Sequence, residues 1–170
     1  MQKEPGNAAW QSDQSQLHIR IGDMRRSQGN LAGALESLEA ARDILARLAK
    51  ADRTDATWPY ELALAHSKIA EVHRQARDLP AALASHQAAL ETLEGLARSA
   101  PNDVALQRDL AMSFARVGVI GMRLNGGEHA RQHLQAGRDI IERLLRQAPD
   151  DAGLRSDLAW FASEMEALGR

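Results

Sequence analysis

The chain repeats itself. Sliding it along itself by 48 residues, without a gap, brings like residues onto like. Trp10 falls on Trp58, then on Leu106 and Leu154. Ile21, Ile69, Val117 and Met165 form a second column, and Leu48, Leu96 and Leu144 a third. Ala34, Ala82 and Ala130 form a column of small residues, and Asp13, Glu61, Asp109 and Asp157 a column of acids. The joints are also in register, with Asn7, Asp55, Asp103 and Asp151 in one column. A short structural unit copied in tandem cannot bury its own apolar faces and must stack on its neighbours.

Each repeat reads as two helices. Trp10, Gln14, Leu17, Ile21 and Met24 step by three and four, which is one face of a helix, and Asn7 before it is an N-cap candidate. Gly29-Asn30 breaks the pattern, and Asn30 is placed to cap a second helix through Leu31, Leu35, Leu38, Leu45 and Leu48. The break in the second repeat is Arg77-Asp78, with Pro80 in a first helical turn, where a missing N–H costs little. In the third repeat it is Asn125-Gly126-Gly127. Residues 152–168 repeat the first helix alone. The expectation is an all-α protein of seven helices, an α-solenoid of helix-turn-helix repeats. It forms one domain over 1–170, with repeats at 7–54, 55–102 and 103–150 and a half-repeat or capping helix at 151–170.

Composition agrees. Six aromatics among 170 residues are too few for an ordinary β-sandwich. With no cysteine there are no disulfides, thiolate metal sites or cysteine nucleophiles. A formal charge of −2 gives no bulk reason to bind nucleic acid. The first residues carry no apolar run, and no stretch is apolar enough to span a membrane. These features make a cytoplasmic location the expectation.

The small residues resemble the signature of the tetratricopeptide repeat. Gly22, Ala34, Leu38 and Ala41 follow that family's spacing, as do Ala70, Ala82, His86 and Ala89, and Gly118, Ala130, Leu134 and Gly137. The period of 48 exceeds the family's usual 34, so the sequence is most similar to its long-repeat bacterial branch. Where the family has an aromatic three residues after the small one, this chain has Arg25, His73 or Gly121. The resemblance implies a right-handed superhelix whose first helices, here called A helices, line a concave groove. It also implies a place inside a larger signalling or effector protein. The chain starts in a linker and stops where a second helix would begin, which fits a piece of a longer array; the last helix is either a cap or a cut end.

Catalytic patterns are absent. His129 and His133 are four apart, but Ala130 stands where a zinc protease needs Glu, so they read as solvated helix histidines. His18 and His66 share a column with Phe114 and read as half-buried packing positions. Gly126-Gly127 lacks the Lys-Ser/Thr of a phosphate loop. No cofactor, metal or enzymatic activity is expected.

The candidate site is cationic. Arg20, Lys68 and Arg116 stand two residues before the small column; Arg26 and Arg74 follow it by four, with Arg123 beside the third position. Stacked repeats would set these in a ladder along the groove. Asp23 and Glu71, three residues after Arg20 and Lys68, are placed to neutralise them along the helix. The expected function is a protein-interaction scaffold for a peptide, acidic if the ladder is used, or for a partner helix. The alternatives are self-assembly into homo-oligomers through exposed repeat ends, and a peptide-sensing regulatory domain.

Overall fold

The computed structural model describes residues 5–125 and 127–167. Among them are seven α-helices and no strand: α1 (Pro5–Ser27), α2 (Leu31–Ala51), α3 (Thr57–Gln75), α4 (Leu79–Ser99), α5 (Val104–Asn125), α6 (Gly127–Gln147) and α7 (Ala152–Ala167). The protein is an all-α solenoid of helical hairpins. The breaks fall where the 48-residue register puts them; Gly126 and Leu168 lie outside the described residues. Asn7 is a correction. Helix α1 already includes Pro5, so Asn7 sits inside the helix rather than capping it.

The joint column forms helix caps. Asp103 Oδ1 accepts from the Leu106 amide at 3.0 Å, and Asp151 Oδ1 from the Leu154 amide at 2.9 Å. Asp55 departs from this: its Oδ1 accepts from the Thr57 amide at 2.9 Å one residue ahead of the N-cap Ala56, which has no side-chain bond. Second helices are capped the same way: Asn30 Oδ1 takes the Gly33 amide and Asp78 Oδ1 the Ala81 amide, both at 3.0 Å. Each such cap is worth about 1 kcal/mol, because it satisfies an amide with no partner inside the helix.

The first two turns from first to second helix are also built alike. The Asn30 amide donates to Arg25 O at 2.9 Å and the Gly29 amide to Arg26 O at 3.0 Å, with Gly29 at φ 78°. One repeat later, Asp78 donates to His73 O and Arg77 to Arg74 O, with Arg77 at φ 63°. This is the Schellman helix stop, in which a left-handed residue lets two amides reach back to the last carbonyls.

The chain forms two compact units, Met1–Thr92 and Leu93–Arg170. In the first, α1 packs on α2 and α2 on α3. Its core holds Ala34, Leu38, Ile69 and Val72, with Ile19, Leu31 and Leu35 against it. Gly22 sets the spacing, since a Cβ there would lie 2.6 Å from Leu38 Cγ. In the second unit α5 packs on α6 and α6 on α7, around Ala111, Ala115, Leu134, Ile141, Leu144, Leu154 and Phe161. Gly118 admits Leu134 as Gly22 admits Leu38. Gly137 is tighter still: a Cβ there would meet Phe161 Cζ at 2.7 Å and Ala111 O at 2.8 Å. Burying each large apolar side chain in these cores contributes roughly 1.5–3 kcal/mol.

Candidate functional site

In the first unit the A helices are α1 and α3. Arg20 is exposed on α1 and makes no ion pair with a described residue; Arg26 is half-buried and makes none either. Lys68 on α3 reaches across to α1, where its Nζ meets Asp23 Oδ2 at 2.6 Å. Asp23 therefore neutralises Lys68 from the neighbouring helix, and not Arg20 along its own. Asp23 Oδ1 is buried and has no hydrogen bond, so the carboxylate depends on Lys68 for its partner. Glu71 turns away from Lys68 and binds Arg74 at 2.8 Å one turn on. The cations on this face that remain unpaired are Arg20 and Arg26.

In the second unit Arg116 and Arg123 are exposed on α5, and neither makes an ion pair with a described residue. Val119 stands where Asp23 and Glu71 stand in the first two repeats, so this A helix brings no acid to that position.

Arg25 was not among the sequence candidates, yet it is the most connected cation on α1. Its Nη1 donates to Gly33 O and Ser37 Oγ, both at 2.9 Å, and to Glu36 Oε2 at 3.3 Å. It pins α1 to the first turns of α2 from the position that an aromatic fills in the family signature. The neighbouring Gly33 is the only visible hint, because a Cβ there would lie 3.1 Å from Arg25 Cδ.

The histidines take structural places. His66 is half-buried, and burial together with the Arg42 guanidinium lowers its pKa from the usual 6.5. His133 is not simply solvated: its ring lies 6.0 Å from that of Phe114, and its Nδ1 is 2.7 Å from His129 O. No cluster of metal-ligating side chains occurs among the described residues.

The second unit also holds an open cleft of about 420 Å³ that the sequence did not announce. Ala97, Leu110 and Ile140 make its apolar lining, and Glu94, Arg98 and Arg143 its charged groups. Gln107, 4% exposed, braces it: Nε2 donates to Ala97 O at 3.2 Å, and Oε1 accepts from Arg143.

The chain matches no protein-family model and no curated protein. It does match solved structures. One is the yeast histone chaperone Hif1, a scaffold protein recruiting protein complexes to core histones, with a TM-score of 0.58 at 13% identity over 78% of this chain. The likeness is one of fold. The chain spans 55% of the length of that Hif1 chain. Weaker overlaps include the first TPR of Spaghetti (RPAP3) bound to the HSP90 peptide SRMEEVD, with a TM-score of 0.40 at 17% identity, covering 91% of this chain and 95% of that one. The de novo designed helical repeat protein DHR64 overlaps with a TM-score of 0.43 at 14% identity, over 95% and 83% of the two chains. No described helix is long and apolar enough to cross a membrane.

Proposed function

We propose that this chain is a protein-interaction scaffold of the tetratricopeptide kind. The polar faces of its A helices receive an acidic peptide or the acidic face of a partner helix. The observation that carries the reading is the set of uncompensated cations, Arg20 and Arg26 in the first unit and Arg116 and Arg123 in the second, on a chain of net charge −2. Lys68 and Arg74 hold the matching positions of α3 in paired form. Rigid helices presenting exposed charge suit an extended ligand, and such charge acts chiefly on encounter rate and orientation. The resemblance of the long repeat supports reading the chain as part of a larger bacterial signalling or effector protein.

The test is an array of acidic and neutral peptides probed with wild type, Arg20→Glu and Arg116→Glu. Arg20 and Arg116 are preferable to Lys68, because replacing Lys68 would strand Asp23. The expected outcome is loss of acidic peptides in the variants, and weaker binding by wild type as salt rises and screening shortens to about 8 Å at physiological strength. Identical peptide profiles for all three proteins would refute the reading.

A further inference from the structure

Residues at matching positions of the A helices are buried or half-buried from the second repeat onward but open in the first. Leu17 is 57% exposed, whereas its counterparts Ala65, Ser113 and Phe161 are at most 1% exposed. Met24 is 52% exposed, against 0% for Val72 and 5% for Ile120. Trp10 is 81% exposed, while at its position Trp58 and Leu106 are half-buried and Leu154 is 1% exposed. Trp10, Leu17 and Met24 are seven residues apart, so they run as one stripe along α1, drifting only about 20° per step.

What covers this stripe elsewhere is visible within each unit. Helix α2 packs on α3, and α6 on α7, where Phe161 seats against Gly137. The covering helices share a pattern of a small residue, Leu or Ile four later, and Leu three beyond: Ala41-Leu45-Leu48 in α2 and Gly137-Ile141-Leu144 in α6. Polar complementarity points the same way. Two of the acids at the position of Asp13 receive a donor from the A helix before them: Glu61 from Gln16, and Asp157 from Arg108 at 2.5 Å. Asp13 itself is exposed and has no partner among the described residues. In α2 and α6 the residues of this pattern, Ala41, Leu45, Ile141 and Leu144, are already buried, so neither helix of a second copy is free to cover the stripe.

We propose that the Trp10–Leu17–Met24 face of α1 docks an amphipathic helix of a partner protein bearing the small-x-x-x-Leu/Ile-x-x-Leu pattern. The structure carrying that helix brings an amide or guanidinium donor to Asp13. The docked helix continues the interface that α2 makes with α3 and α6 with α7. Arg20 lies one helical turn from both Leu17 and Met24, so this surface adjoins the cationic one on α1. The peptide that tests it carries equal numbers of acidic and basic side chains, which keeps its outcome separate from that of the acidic-peptide array.

The probe is a synthetic peptide of sequence 31–51, titrated into the full chain and read by tryptophan emission and amide exchange. The expected result is a saturable blue shift as Trp10 leaves water, with slowed exchange confined to α1. Leu17→Glu in the chain abolishes both while helical content stays unchanged. The peptide carrying Leu45→Glu does not bind the wild-type chain, which keeps the test valid if the chain variant is unstable. No saturation up to about 1 mM, the level of roughly 4 kcal/mol of binding, overturns the proposal. So does binding indifferent to Leu17→Glu, or faster exchange in α2 and α3, which would show the peptide replacing the chain's own helix. Self-association of the chain alone, removed by Leu17→Glu, overturns it in favour of a second copy.

Discussion

Arg77 carries a backbone that its side chain resists. It takes the left-handed conformation at the helix stop where the first repeat has Gly29. A Cβ in that conformation costs roughly 1–2 kcal/mol, partly offset because glycine adds freedom to the unfolded chain. Arg77→Gly is therefore expected to stabilise the protein by about 0.5–1 kcal/mol, seen as a raised urea midpoint at unchanged slope. His66 gives a prediction with the opposite character. Burial and Arg42 hold its folded pKa below the usual 6.5, so the unfolded chain binds the proton more readily. Its contribution is complete above pH 6.5 and is lost as the pH falls below that value. Urea midpoints should fall between pH 7.5 and 5.5 more steeply in wild type than in His66→Phe, which borrows the residue of the third repeat. Equal slopes would show that His66 does not titrate in this window.

Glycines of the same helical class separate sharply once their neighbours are known. Gly137 is closed by Phe161 and a backbone carbonyl, so Gly137→Ala is expected to cost about 1–3 kcal/mol. Gly95 has only the end of Arg98 at 4.0 Å, so Gly95→Ala is expected to stabilise α4 by about 0.5–1 kcal/mol. Urea unfolding of the two variants checks both signs. The helices and their breaks were legible in the sequence because the 48-residue register multiplies each weak local signal. Gly29-Asn30 alone is an ordinary turn; set against Arg77-Asp78 it becomes a joint. The electrostatic partners were not legible. Spacing along α1 pairs Asp23 with Arg20, whereas the structure gives Asp23 to Lys68, 45 residues away on α3. Arg25 reads as a surface cation, because nothing local says that its guanidinium lies over the turn into α2. Such bonds depend on how two helices pack, and a single periodic face does not encode that. The apolar periodicity of α1 was right, but the open state of Trp10, Leu17 and Met24 depends on which neighbours a helix has.

At the scale of the whole molecule, stability in a stacked repeat is a sum of each repeat and its neighbours' contacts. Helix α1 has a neighbour on one apolar face only, whereas α5 is buried through Leu110, Ala111, Ala115, Val117 and Ile120. Amide exchange in α1 is therefore expected to be the fastest of the A helices α1, α3 and α5. Mass spectrometry of exchange-labelled fragments measures the order, and protection in α1 equal to that in α5 would contradict it. The arrangement of caps and stops also bears on how such a chain grows. The caps described at Asn30, Asp78, Asp103 and Asp151 each bond an amide three residues on, so each start signal is local to its own joint. A gene that duplicates or loses a whole repeat in frame leaves each remaining joint as it was. Length is then free to vary during descent, while a residue inserted within one joint disturbs that cap alone.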